Sequence, residues 1–287
     1  MAVTIDSLFG LQQMGESVEV FAAPPFKLRL QEQFAPEECY ADTYRFDRSD
    51  FEMSLAPFVG GRASASIAVK TQDKKVEVVP LAHIRVHKVI SAAELFTMRQ
   101  PGEISDNAAA YVARVRKQLR QRCLLARELV CKQVLTTGIV SISSSTFPDS
   151  ETTISFTRAP TAVTAASASW ATASTKILSD LQTWRHDVRK VAGFEPARAL
   201  FSKSVLTYLL NNTQAIDWLG KTQRGVDIAS SAQYGKFGGL EMWEEYNGFY
   251  IPEGSTATLF ISDDTVILLP DEASGKQILR MIEGFAE

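Results

Sequence analysis

SDNAAAYVARVRKQLRQRCLLARELVCKQVLTTG, residues 105–138, reads as one unbroken helix. Ser105 or Asp106 supplies an N-cap acceptor, and Gly138 offers the left-handed backbone that stops a helix. Ala108, Val112, Val115, Leu119, Ala126, Val130 and Val134 recur at helical spacing, with Cys123 on the same stripe. At this length the rod is roughly 45 Å long, which suits a structural spine. Its polar surface is basic: Arg114, Arg116, Lys117, Arg120, Arg122, Arg127 and Lys132 stand against Glu128. Such a face either meets phosphates or acidic partners, or is solvated and locally paired. It lacks the interleaved aromatics of a single-strand binder.

Upstream, SAAELFTMR reads as a short helical piece closed by Pro101-Gly102. Before it, KVEVVPLAHIRVHKV alternates in the strand manner, while Gly60-Gly61 and the small side chains of RASASIA mark a flexible loop. Residues 51–90 therefore predict a long β-hairpin with the polar tip TQDKK, projecting from the body. Residues 1–50 read as an extended arm. Pro24-Pro25 and Pro36 break any helix, and Phe21, Phe26, Leu28 and Leu30 are too few to fold alone.

Downstream, residues 139–169 are rich in Ser, Thr and Ala, with ETTISFTRA as a strand and TAVTAASAS as a linker or edge. An amphipathic helix over Trp170–Val191, stopped by Gly193, opens a new compact region. ATLFIS and TVILLP, joined by Asp263-Asp264, have the pattern of a buried hairpin. The elements sum to an α+β chain with two lobes, an arm and a projecting loop.

Composition bounds the function. Of 287 residues, 45% are apolar and 22% charged, and the net charge is −3, so nothing global announces a nucleic-acid or membrane binder. Cys39, Cys123 and Cys131 lack metal-ligand spacing. Cys123 and Cys131 are ~12 Å apart along one helix, too far for a disulfide, and buried reduced thiols are expected. MAVTIDSLFG has no basic segment followed by an apolar run, so no signal peptide is expected. No stretch reaches the ~18 apolar residues of a membrane span, and a soluble cytosolic product is expected.

Chemistry is sparse. His83 and His87 share a strand face about 13 Å apart, too far for one metal ion. His186, beside Asp187, reads as a solvated helix residue. No nucleophile elbow, phosphate-cradling loop or H-E-x-x-H run occurs. The glycines of GKFGGLEMW read as a turn between strands. Asp263-Asp264 and Asp271-Glu272 have the oxygen ligands of a hard-cation site, but turn chemistry accounts for both pairs. No catalytic, cofactor or metal residue is assigned, and an enzyme is not expected.

Six segments, in order, carry a resemblance: SLAPFVGGR, PLAHIRVHKVISAAELFTMRQPGE, RELVCKQVLTTG, AGFEPARALFSKSVLTYLLNN, YNGFYIP and ATLFISDDTVILLPDE. From about Phe51 to Glu272 the chain resembles the lambda-type phage major capsid proteins, the E family. The resemblance implies a Hong Kong 97-type capsid fold. Residues 1–50 would be its N-terminal arm and 51–90 its extended β-loop with flanking strands, the loop itself at about 55–82. Residues 91–169 would be the peripheral domain with the spine helix at 106–137, and 170–262 the axial domain. Residues 263–287 would return toward the peripheral domain. Family members usually run some tens of residues further, so this return is expected to be shortened or cut.

The implied function is that of a shell protein. It would self-assemble as pentamers and hexamers into the icosahedral head of a tailed bacteriophage, around double-stranded DNA. An encapsulin-like nanocompartment shell is the alternative. Scaffold, portal and decoration proteins are the implied partners, with DNA as a non-specific contact, no membrane and no cofactor. The virion capsid is the implied location, after assembly in the host bacterial cytoplasm. Gly60, Gly61 and Gly102 are the hinge candidates, and Arg114, Arg116, Arg120 and Arg127 the inter-subunit contact candidates. The segment GKTQRGVDIASSAQYGKFGG is the candidate contact at the symmetry axes.

Overall fold

The computed structural model describes residues 27–41, 43–48, 75–81, 84–91, 106–142, 152–156, 163–220, 233–234, 238–252 and 256–284. The order begins with a 3-10 turn at Gln31–Gln33, then β1 (Ala35–Cys39), β2 (Thr43–Arg48) and β3 (Lys75–Pro80). Helix α1 (Asp106–Thr136) leads to β4 (Ile139–Ile142) and β5 (Thr152–Ser155). Next come α2 (Ile177–Ala192), β6 (Arg198–Phe201), α3 (Lys203–Asn211) and α4 (Thr213–Gly220). Strands β7 (Gln233–Tyr234), β8 (Met242–Glu245), β9 (Phe249–Tyr250), β10 (Thr258–Leu259) and β11 (Val266–Leu269) follow, then α5 (Glu272–Ile278) and β12 (Arg280–Gly284).

Two compact units are interleaved along the chain rather than consecutive. One gathers residues 1–32, 83–140 and 247–261 around α1; the other gathers 33–82, 141–246 and 262–287. In the first unit, α1 ends where glycine chemistry predicts. Gly138 has φ 69°, and its N–H reaches back to Gln133 O at 3.0 Å and Val134 O at 3.1 Å. The β9–β10 hairpin brings the Tyr250 and Phe260 rings to 5.0 Å.

The single apolar stripe expected along α1 does not hold. Val112 and Val115 are buried in its first half, but Glu128 and Cys131 are the buried residues of its second half. Ala126, Val130 and Val134 are only half-buried. At 3.6 residues per turn the two buried pairs point roughly 160° apart, so the rod packs on nearly opposite sides at its two ends. A helix covered that way cannot show one continuous stripe.

The second unit is built on a four-stranded sheet of order β11-β6-β8-β7, with β6 and β8 parallel and both outer pairings antiparallel. Ala199, Phe201 and Trp243 from this sheet pack with Ile177 and Leu181 of α2, Val205 and Leu209 of α3, and Ala215 of α4. Helix α2 starts at Ile177, later than expected. Residues 170–176 instead fold back: Trp170 stacks on Trp184 with ring centroids 5.3 Å apart, and its Nε1–H donates to the buried Asp180 at 2.9 Å. Asp180 also accepts from Ser167 N–H at 3.3 Å, and these bonds satisfy a carboxylate that burial alone would penalise.

Two further expectations are corrected. ATLFIS and TVILLP do not pair with each other: β10 pairs with β9, and β11 with β6. Asp263-Asp264 is a turn tied to α3, Asp264 having φ 63° and donating its N–H to Ser204 Oγ at 3.0 Å. The strand alternation after Pro80 also fails, since residues 84–91 join no ladder among the described residues. Alternation alone makes no strand without a neighbour to complete the hydrogen bonds. The Gly238-Gly239 turn lies between β7 and β8, as read from the sequence.

Candidate assembly surfaces

The first surface is α1 itself. Arg114 and Arg120 are exposed, and Arg116 and Arg127 are half-buried. At about 100° per residue, Arg116, Arg120 and Arg127 share one side of the rod, while Arg114 points elsewhere. The four candidates are thus not one cluster. Arg116, Arg120 and Arg127 each already engage another group of the subunit. Two other cations of this unit sit over rings: Lys132 lies 5.6 Å from the Tyr250 centroid and Lys88 5.3 Å from that of Tyr111.

The buried Glu128 escaped the sequence reading, which counted it only as a charge. Its Oε1 accepts from Leu30 N–H at 3.0 Å and its Oε2 from Gln31 N–H at 3.1 Å. Gln31 Nε2 donates in turn to Leu124 O at 2.6 Å, and the Leu30 side chain is fully buried. The bonds satisfy the amides that open the 3-10 turn, which have no partner of their own inside it. Periodicity carries no signal for this, because it ranks an acid as surface. Nearby Cys131 has its thiol pushed up to about 12, first by burial and then by the Glu128 charge.

The second surface is the β2–β3 ladder. Its strands pair antiparallel from Thr43↔Pro80 to Arg48↔Lys75 and enclose residues 49–74. Val76 and Val78 are exposed on one face, and Tyr44 and Phe46 stack on the other with centroids 6.5 Å apart. The third is a parallel pair between β1 and β12, joining the two ends of the described chain. Asp271 caps α5 by accepting from Ser274 N–H at 3.2 Å, and its pKa is lowered first by the Ser274 side chain and next by that N–H. Glu272 pairs with Lys276, which lowers the Glu272 pKa. Both acids are thereby used in helix chemistry.

Gly60, Gly61, Gly102 and His83 lie outside the described residues, as do residues 221–232 and 235–237 of the axis-contact segment. His87 and His186 are exposed. Among the described residues no group of three or more His, Cys, Asp or Glu is placed to hold a metal ion. Among the same residues no helix is long and apolar enough to cross a membrane.

Against known proteins, the family model described as phage major capsid protein E matches residues 13–282. The chain belongs to the phage major capsid protein E family. A solved putative capsid protein of a prophage from Escherichia coli CFT073 is similar at TM-score 0.53 and 14% identity, covering 94% of this chain and 81% of its own. A phage-related protein from Bordetella bronchiseptica RB50 is similar at TM-score 0.37 and 16% identity, covering 61% and 51%. A comparison with curated proteins finds no match. The encapsulin-like alternative draws no support from these likenesses.

Proposed function

We propose that this capsid protein assembles as pentamers and hexamers into an icosahedral tailed-phage head around double-stranded DNA, on a Hong Kong 97-type layout. The observation that carries the reading is the family match, which spans residues 13–282 and so includes both units. Within that layout α1 is the spine, residues 51–74 belong to the extended loop rooted on β2–β3, and the β6–β8 sheet unit supplies the axial part. Residues 1–50 are proposed as the arm. Shell contacts that are individually weak gain by repetition, because each copy engages several neighbours.

Scaffold, portal and decoration proteins are the proposed partners, with the genome a non-specific contact. Gly60, Gly61 and Gly102 are proposed hinges for shell expansion. A Gly60→Pro change is expected to impair expansion more than subunit folding, and equal loss of both overturns the hinge role. Arg116 and Arg120 are proposed to contact an acidic neighbour, and their joint reversal to Glu is expected to alter assembly. The test of the whole is negative-stain electron microscopy of the chain expressed alone and with its neighbouring phage genes. Closed shells or capsomer rings of uniform size are expected; a persistent monomer in both cases overturns the proposal.

A further inference from the structure

Among the described residues, Glu128 is a carboxylate of zero exposure on a helix otherwise rich in Arg and Lys. Both its oxygens are spent on backbone N–H groups 97 and 98 residues away in sequence. An apolar side chain would fill the same space without desolvating a charge. What a glutamate supplies, and a leucine cannot, is two acceptors at fixed spacing. These match two successive amides at the opening of the 3-10 turn and so select one register for the passing chain. Leu30 adds apolar burial to that hold, since its side chain is fully buried in this register.

We propose that Glu128 is the catch of a strap formed by residues 27–33, which it holds in one register against α1 and whose release leaves α1 folded. The other end of the strap is fixed separately: Gln33 Oε1 accepts from Arg198 Nη2 at 2.7 Å, and Arg198 Nε donates to Pro270 O at 3.1 Å. The strap belongs to no α-helix and to no strand ladder, so its release does not require α1 to unfold.

The test is hydrogen exchange, read by mass spectrometry, on the unassembled full chain with Glu128→Gln and Glu128→Leu beside the parent. Exchange over residues 27–33 is expected to quicken at least about tenfold in both variants, more in Glu128→Leu, which keeps no acceptor. Peptides from α1 and from α2 to α4 are expected to exchange as in the parent. Unchanged exchange over 27–33 overturns the catch. Loss of protection that spreads through α1, or a variant that does not fold, also overturns it, because Glu128 is then ordinary core. Shell formation is not read, so failure here is distinct from failure of the capsid reading.

Discussion

Arg280 Nη1 donates to Glu37 Oε2 at 3.1 Å across 243 residues of sequence, and Tyr44 OH donates to the other oxygen of Glu37 at 3.2 Å. The ion pair sits on a parallel ladder that runs from Ala35↔Arg280 to Cys39↔Gly284. Both side chains are well exposed, at 58% and 37%, so solvent screens the pair to at most about 1 kcal/mol. The ladder, rather than the charge, joins the ends. Arg280→Ala is therefore expected to shift a urea midpoint only slightly. Truncation before Arg280 removes the only strand that β1 pairs with among the described residues, and is expected to deprotect amides 35–39 in hydrogen exchange. Equal effects of the two changes would contradict this ranking.

Asn212 is expected to be the costliest polar truncation in the sheet unit. It is fully buried, its Nδ2 donates to Ala173 O at 3.1 Å and Thr175 O at 2.9 Å, and its Oδ1 accepts from Gln214 N–H at 3.0 Å and Ala215 N–H at 3.2 Å. One side chain thus caps α4 and fastens the loop that precedes α2. Asn212→Ala takes the side-chain acceptor from two amides, while the Ala173 and Thr175 carbonyls keep the Thr213 and Ile177 N–H donors; it is expected to cost about 1–3 kcal/mol in chemical denaturation. Asn212→Asp keeps the cap and loses both donors, so it is expected to lie between Ala and the parent.

Gly239 tests backbone rather than hydrogen bonding. Its φ is +82°, and a Cβ there would lie 1.8 Å from Arg185 Nη1. Gly238, at φ +62°, would place its Cβ 2.4 Å from Leu181 Cδ1. Arg185 also pairs with Glu195 and donates to Gly238 O at 3.4 Å, so moving it costs these contacts. Gly239→Ala is expected to destabilise by about 1–3 kcal/mol, with a lowered melting temperature. An unchanged melting temperature would show that the turn relaxes into another conformation.

The sequence was most legible where one residue type has one physical use. Gly138, Gly193 and the Gly238-Gly239 pair stop helices or turn the chain because a left-handed φ requires them, and each was placed correctly. The α+β character and the length of α1 followed from periodicity. Glu128 did not, because a buried acid is intelligible only once the amides of Leu30 and Gln31 are known to face it. The β1–β12 pairing and the separate partners of β10 and β11 were hidden for a related reason. Local alternation says that a segment is extended, and says nothing of which distant strand completes its ladder. The four arginines chosen as contacts were visible as charge, but their division between two sides of the rod needed the helix phase.

Cys131 links burial to a pH dependence. Its thiol is pushed up to about 12, chiefly by burial and next by the Glu128 charge, with Arg127 opposing. In the unfolded chain the thiol titrates near its ordinary value of about 8.5. Between those values the folded chain keeps a proton that the unfolded chain has lost, so stability falls as pH rises through the window and is fully present below it. Tyrosines and lysines titrate in the same range, so the comparison must be with Cys131→Ala. The parent is expected to lose more stability than this variant between pH 8 and pH 10.5 in paired urea titrations. Thiol labelling at pH 8 gives an independent check: Cys131 should react only with unfolding, and Cys39 and Cys123, both half-buried, should react before it. Equal loss in parent and variant, together with rapid labelling of Cys131 in the folded chain, would mean that the second half of α1 is open to solvent.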